Sequence, residues 1–213
     1  MTPSLVEGLA RVRARIAGAG GDPEGITLVA VSKGQPVDAV AEAVRVGLVD
    51  IGESYAQELV AKADLLAEGL AVRWHFVGGL QRNKVRLLAP HVHLWQSVDR
   101  LSLAGEIARH APGAAVLVQV NVSGAEHQGG CPPERVAAVA EGCADLGLDV
   151  RGLMAIAPQG TDDVARAAFA TVRELADGLG LRERSMGMSA DLEAAVAEGS
   201  TILRIGTDLF GPR

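Results

Sequence analysis

Apolar residues along this chain follow two spacings, one typical of buried strands and the other typical of amphipathic helices. Residues 26–32 and 115–121 are apolar runs rich in β-branched side chains, as expected for strands buried on both faces. Between these runs the apolar residues recur every three or four positions, which predicts helices with one buried face. The pattern predicts strands at residues 26–32, 48–51, 72–77, 92–96, 115–121, 150–156, 182–186 and 201–205, with a helix between each pair and one helix before the first strand.

Regular alternation of strand and helix predicts one parallel sheet whose strands are joined by right-handed crossovers. Eight such units favour a closed sheet, so the predicted fold is α/β, a single (β/α)8 TIM-type barrel with an extra N-terminal helix. An open sheet is the alternative, because the strand at 182–186 is the weakest of the eight. A barrel of this type needs about 200 residues at its smallest. We therefore expect a single barrel domain spanning residues 1–213.

The composition narrows the range of partners. Hydrophobic residues make up 48% of the chain but aromatic residues only 3%, which suits an aliphatic core around a parallel sheet. The formal net charge of -6 argues against a nucleic-acid partner, for which a basic patch is expected. No apolar stretch approaches the roughly 20 residues needed to cross a bilayer. Residues 1–4 also lack the start of a signal peptide, so we expect a cytoplasmic protein without membrane partners.

Lys33 is the first candidate functional residue. It directly follows the first predicted strand and precedes Gly34, Gln35 and Pro36, which predict a turn into a helix. Folds of this class carry their chemistry at the carboxyl ends of the barrel strands. An amine withdrawn from water there can offer its lone pair to an aldehyde and form an imine. The alternative is a lysine at the rim whose side chain reaches back to water.

Two segments near the end of the chain form a candidate phosphate site. Ser185 lies at the end of the seventh predicted strand and Gly187 directly follows it, while Gly206 and Thr207 follow the eighth strand. Backbone amides at a helix N-terminus, together with hydroxyl groups, bind phosphate well. Barrels of this type often hold a phosphate in the loops after strands seven and eight. The alternative is that these four are ordinary small residues of turns.

Arg204 supplies a positive charge near the same end of the barrel. It alternates with Leu203 and Ile205, so it faces the barrel interior if those two residues face the helices. A buried arginine is costly without a partner, which a ligand ring nitrogen or a core carboxylate would supply.

A lysine, a phosphate site and an inward arginine together match the aldehyde, phosphate and pyridine nitrogen of pyridoxal 5′-phosphate (PLP). Because arginine can only donate, its hydrogen bond would leave the pyridine nitrogen unprotonated.

Six segments carry a resemblance to a known family. They are VAVSK at 29–33, GESYAQE at 52–58, WHFVGGLQRNK at 74–84, RGLM at 151–154, SMGMS at 185–189 and RIGT at 204–207. In this order, over residues 29–211, they resemble the signatures of the pyridoxal phosphate homeostasis proteins. The resemblance implies a barrel of the alanine-racemase N-terminal type, and the family has no established enzymatic turnover.

The resemblance also implies which residues hold the cofactor. Lys33 would hold PLP as an internal aldimine, and Arg204 would meet the pyridine nitrogen. His75 and Met186 are candidates for packing on the ring, with a histidine satisfied within its own strand as the alternative for His75. Ser54 stands where the family usually carries asparagine, and its hydroxyl can still donate a hydrogen bond. The predicted cofactor-binding residues are Lys33, Ser54, His75, Ser185, Met186, Gly187, Arg204, Gly206 and Thr207, with no metal site.

The implied role is that of a carrier and buffer of intracellular PLP that affects amino-acid and keto-acid balance. Racemases of the related fold need a second acid or base on the opposite face of the cofactor, supplied by a further domain that we do not expect here. The expected protein is a monomer whose further partners are PLP-dependent apo-enzymes. One alternative is a weak amino-acid racemase that uses Tyr55 or His75 as the second base. Another is a barrel that binds a different phosphate ester without an imine.

Overall fold

The computed structural model describes residues 4–66, 69–125 and 128–211, and it confirms the closed barrel. The strands are β1 (Thr27–Val31), β2 (Asp50–Glu53), β3 (Arg73–Phe76), β4 (Val92–Val98), β5 (Ala115–Val120), β6 (Asp149–Ala155), β7 (Glu183–Ser185) and β8 (Ile202–Ile205). They pair in parallel and in chain order, and β8 closes the barrel by pairing with β1. The open sheet considered as an alternative is therefore excluded.

Helices surround the barrel and turn their apolar faces toward it. They are α1 (Leu5–Gly18), α2 (Val37–Arg45), α3 (Ala56–Leu65), α4 (Arg82–Leu88), α5 (Leu101–His110), α6 (Val136–Asp145), α7 (Asp162–Gly178), α8 (Leu192–Ala197) and α9 (Thr207–Phe210). In α5, for example, the periodic residues Leu103 and Ile107 are fully buried. Within the described ranges, no helix is long and apolar enough to span a membrane.

The barrel interior is packed with side chains from alternate strand positions. Its apolar part includes Val29, Leu94, Leu117, Met154 and Ile202, which form one buried cluster. The intervening strand residues point outward and join the larger cluster beneath the helices. Because the interior of such a barrel is a packed core, a ligand can enter only at its ends.

Two of the differences from the sequence pattern concern β2 and α9. β2 begins at Asp50, two residues later than predicted, because its polar residues Asp50 and Glu53 are buried with partners from other elements. A hydrophobic pattern cannot place the ends of a strand when those ends are charged. The pattern also does not predict α9, which at four residues is too short to show a helical period.

The N-terminal helix is tied to the end of the chain. α1 packs against α8 and α9, and its Arg15 side chain reaches both. Arg15 donates to the two carboxylate oxygens of Glu193 at 2.7 Å and to Asp208 at 2.5 Å. It also donates to the backbone carbonyl of Ser189 at 3.0 Å. Arg15 therefore holds the segments that follow β7 and β8 in fixed positions.

Candidate functional site

A cavity of about 520 Å³ opens at the carboxyl ends of the strands. Small-molecule sites usually occupy about 300–1,000 Å³. The topology brings together segments that follow β1, β2, β7 and β8 in this cavity. Five of the nine predicted cofactor-binding residues line it, namely Lys33, Ser54, Arg204, Gly206 and Thr207.

A buried ion pair fixes the backbone next to Lys33. Lys62 of α3 is only 6% exposed, and it donates to the fully buried Glu53 carboxylate at 2.5 Å. The same ammonium donates to the backbone carbonyl of Ser32 at 2.7 Å. The Ser32 hydroxyl in turn donates to Glu53 at 2.7 Å. Because the carbonyl and the hydroxyl of Ser32 are both anchored, the following residue, Lys33, is held at the cavity wall.

Ser54 lies where the segments after β2 and β3 meet. It lines the cavity together with Gly78. A Cβ atom added at Gly78 would lie 2.1 Å from the Ser54 carbonyl oxygen. Only glycine permits the two segments to approach this closely. A larger residue at position 78 would therefore displace Ser54 from the wall.

The segments after β7 and β8 supply hydrogen-bond donors to another part of the wall. Ser189 lines the cavity beside Gly206 and Thr207. Its hydroxyl oxygen accepts from the backbone amide of Asp208 at 3.2 Å, so its own hydrogen can be donated elsewhere. The predictions from sequence do not include Ser189, although its place at the end of the SMGMS segment, three residues before α8 begins, was a usable signal. Hydroxyl groups held in this way suit a phosphate group.

Arg204 points into the barrel, as the alternation in β8 predicts, and is 4% exposed. Its Nη1 donates to the backbone carbonyl and the hydroxyl of Ser185 at 2.7 and 2.6 Å. Its Nη2 donates to the backbone carbonyl of Ala155 at 2.7 Å. These partners are carbonyl and hydroxyl oxygens, in contrast to the core carboxylate considered from the sequence. Burial lowers the pKa of Arg204 to about 10, so the guanidinium stays charged at neutral pH.

A series of hydrogen bonds continues from Ser185 through the barrel interior. The Ser185 hydroxyl donates to Gln96 Oε1 at 2.6 Å, and Gln96 Nε2 lies 2.8 Å from His75 Nδ1. His75 Nε2 lies 2.9 Å from Asp50 Oδ1, which also accepts from Arg73 at 2.7 Å. We refer to the side chains of Arg204, Ser185, Gln96, His75 and Asp50 as the interior network.

Four predicted residues lie outside the cavity lining. His75 and Ser185 belong to the interior network and are buried, at 2% and 0% exposure. Met186 is fully buried in the outer core. Gly187 has a φ of 91°, and a Cβ atom there would lie 2.5 Å from Ala195 Cβ. This glycine is therefore required by a left-handed turn and by packing on α8.

The far end of the interior network predicts a pH dependence of stability. Burial alone would raise the pKa of Asp50, but hydrogen bonds from His75 and Arg73 outweigh it and lower the pKa from 3.8 to about 2. A lowered folded-state pKa contributes stability above the unfolded pKa, and this contribution is lost as pH falls toward 2. We expect the difference in unfolding free energy between wild type and Asp50→Asn to shrink by about 2 kcal/mol from pH 5 to pH 2. Urea denaturation at the two pH values measures it, and a constant difference would contradict the assignment.

The fold and the cavity define a class of protein, a (β/α)8 barrel with a cavity of ligand size at its mouth. No protein-family model matches the chain. The alanine racemase of Clostridium difficile 630 shares the fold, with a TM-score of 0.73 and 14% identity over 97% of this chain and 60% of that one. At this identity the likeness concerns the fold alone.

Closer relatives identify the family. The chain is 47% identical to the pyridoxal phosphate homeostasis protein of Pseudomonas aeruginosa, covering 99% of this chain and 96% of the relative. It therefore belongs to the pyridoxal phosphate homeostasis protein family, as the sequence resemblance implies. The structure of PipY from Synechococcus elongatus PCC7942 with PLP bound matches with a TM-score of 0.82 and 36% identity. That match covers 94% of this chain and 100% of PipY.

Proposed function

We propose that this chain, as a single domain spanning residues 1–213, binds PLP at the barrel mouth and serves as a carrier and buffer of it. The observation that carries the proposal is the convergence of an amine, a guanidinium and hydroxyl groups on one cavity. The relative PipY, whose structure has PLP bound, supports the same ligand here. The residues proposed to contact PLP are Lys33, Ser54, Ser189, Arg204, Gly206 and Thr207.

The chemistry of the cavity fits each part of PLP. When bound, PLP supplies an aldehyde that joins an amine as an imine with loss of one water molecule. Lys33 supplies the amine, and Ser189 and Thr207 supply donors for the phosphate. Arg204 donates to the ring nitrogen and, being charged, also favours an anionic ligand. These local positive charges allow a protein with a net charge of -6 to bind an anion.

The positions of the two residues considered as a second base favour a carrier over a racemase. The two residues considered as a second base, Tyr55 and His75, do not line it. Tyr55 is 57% exposed and faces a neighbouring surface cavity, whereas His75 lies below Arg204 in the interior network. A general base must lie within hydrogen-bond reach of the proton that it removes. The placement of both residues therefore supports reversible holding of PLP without carbanion chemistry.

A transfer assay tests the carrier role. PLP-loaded protein is mixed with a PLP-dependent apo-enzyme, and recovery of that enzyme's activity reports the cofactor received. We expect recovery in proportion to the loaded protein added. Amino-acid racemisation by the loaded protein, measured by polarimetry, should not exceed the rate given by free PLP. Racemisation well above that rate would contradict the carrier-only role.

Thr207→Val tests the phosphate part of the cavity. Valine has nearly the shape of threonine but lacks the hydroxyl donor, so we expect the dissociation constant of PLP to rise about tenfold. Lys33 should still form the imine, because the variant leaves the amine in place. Thr161→Val is the matched control, since Thr161 precedes α7 without a side-chain capping hydrogen bond. Equal affinity of Thr207→Val and wild type would remove Thr207 from the phosphate site.

The proposal includes a cytoplasmic monomer that hands PLP to apo-enzymes. The exposed large hydrophobic residues include Val6, Leu65 and Leu179, which belong to α1, α3 and the end of α7. Apolar residues scattered singly are normal on a monomer. Cys131 and Cys143 are free and buried, as is usual in a reducing compartment.

A further inference from the structure

The hydrogen bonds of the interior network below the cavity run in one direction of donation, from Arg204 to Asp50. We propose that Ser185, Gln96 and His75 are positioning residues that use this direction to fix the orientation of Arg204. The inference rests on the proposed function, because Arg204 is the residue proposed to contact the PLP ring. It gives Ser185 and His75 a role different from direct contact with the cofactor.

The direction follows from the donors and acceptors at the two ends. Arg204 can only donate, so the Ser185 hydroxyl oxygen must accept from it at 2.6 Å. The hydroxyl hydrogen then goes to Gln96 Oε1 at 2.6 Å. In this orientation of Gln96 the amide oxygen faces Ser185 and the NH₂ group faces His75.

The same direction continues through the histidine. The NH₂ group of Gln96 donates to His75 Nδ1 at 2.8 Å, so this ring nitrogen is an acceptor without a hydrogen. The hydrogen of His75 therefore sits on Nε2 and is donated to Asp50 Oδ1 at 2.9 Å. Asp50 ends the series as a carboxylate that also accepts from Arg73. With the Gln96 amide oriented in this way and one hydrogen on His75, each group of the series has a fixed donor or acceptor role.

The network acts on the guanidinium through Ser185. Both hydrogens of Arg204 Nη1 are bound by Ser185, and one hydrogen of Nη2 is bound by Ala155. Among the described residues, no protein acceptor binds Nε or the second hydrogen of Nη2. These are the two N–H groups that can face the cavity, which Arg204 lines. Gln96 accepts from the Ser185 hydroxyl and so keeps the hydroxyl oxygen turned toward Arg204 Nη1. This leaves Nε and the second Nη2 hydrogen for the cavity, whereas without Gln96 the hydroxyl could rotate.

Arg204 and the network together set the state of a bound pyridine ring. A guanidinium held as a donor offers a hydrogen to the ring nitrogen and has no lone pair with which to share a proton. The ring nitrogen consequently remains unprotonated, which makes the ring a weak electron sink. The residues below the cavity thus favour holding PLP over using it for carbanion chemistry.

The first test uses cofactor-free protein labelled with nitrogen-15. In wild type we expect the His75 hydrogen on Nε2 and separate signals for Nη1 and Nη2 of Arg204. In Gln96→Glu the carboxylate can only accept, so His75 should carry hydrogens on both ring nitrogens. Ser185→Ala removes the hydrogen bond from Arg204 Nη1 to the Ser185 hydroxyl and leaves the bond to the backbone carbonyl. The guanidinium is then held less firmly, so the Nη1 and Nη2 signals of Arg204 should merge. Ser200→Ala, which removes another buried hydroxyl of the barrel, should leave both signatures as in wild type.

The second test uses PLP labelled with nitrogen-15 at the ring. We expect the ring signal of an unprotonated, hydrogen-bonded nitrogen in wild type and a displaced signal in Gln96→Glu, with PLP retained about tenfold less tightly. A hydrogen on His75 Nδ1 in wild type would overturn the inference. So would a folded Gln96→Glu variant with wild-type ring signal and affinity. Failure of wild type to form the imine would overturn the proposed function instead. The signals of the cofactor-free protein would still show whether the hydrogens of the interior network lie where the inference places them.

Discussion

Lys33→Ala will abolish the absorbance band near the edge of the visible range that marks the imine between protein and PLP. The sequence contains three lysines, Lys33, Lys62 and Lys84, so few amines compete for the aldehyde. Lys62 is buried in an ion pair with Glu53, and Lys84 lines a neighbouring surface cavity. Of the three, Lys33 lines the cavity with Arg204 and Thr207. Loss of its amine should therefore remove the covalent link while the other contacts retain PLP weakly.

Lys84→Ala is the matched control and should keep the full band. Reduction with borohydride makes the link permanent, and peptide mapping by mass spectrometry should then locate it at Lys33. A band of wild-type intensity in Lys33→Ala would show that the imine forms elsewhere. A reduced adduct on Lys62 would point to opening of the buried ion pair.

Lys62→Met will lower the free energy of unfolding by about 3–5 kcal/mol, the usual cost of leaving a buried charge without its partner. Glu53 is fully buried, and its Oε1 accepts from both Lys62 and Ser32. Methionine fills similar space but leaves the carboxylate uncompensated. Chemical denaturation of wild type and variant measures the difference, and Lys84→Met should cost less than about 1 kcal/mol as the surface control.

The double variant Lys62→Met with Glu53→Gln separates charge from packing. A glutamine side chain at position 53 carries no charge to compensate, so we expect the double variant to be more stable than Lys62→Met alone. The same series reports on the site, because Lys62 also holds the carbonyl of Ser32 next to Lys33. Imine formation should be slower in Lys62→Met than in wild type under conditions where both are folded. A change in stability below about 1 kcal/mol would contradict the importance of the pair.

The position of Lys33 and the direction of Arg204 could be predicted because both depend on local rules. A lysine after a buried strand lies at its carboxyl end in any parallel barrel, and alternation along β8 places Arg204 opposite Leu203 and Ile205. Eight repeats of the same local pattern likewise sufficed to predict the closed barrel. These inferences need only neighbouring residues and the strand period.

The roles of Ser185, Met186 and Gly187 were harder to predict because they depend on distant contacts. The Ser185 hydroxyl binds Gln96, 89 residues earlier in the chain, and this pairing depends on how the strands are staggered around the barrel. An apolar residue such as Met186 can face a ligand or the core with the same sequence signal. The glycine at 187 is equally ambiguous, since close approach of phosphate and close packing of a helix both require it.

The link made by Arg15 has a consequence for how the protein is synthesised. The hydrogen bond to Asp208 joins residues 193 apart, so Arg15 is synthesised long before its partner. At a translation rate of about 5–20 residues per second, α9 is synthesised roughly 10–40 seconds after α1. A chain that terminates before β8 would lack Arg204 and Thr207 as well as the contacts that hold Ser189. Retention of the cofactor thus begins only after β8 and α9 have been synthesised, and a product that ends before β8 would not sequester PLP.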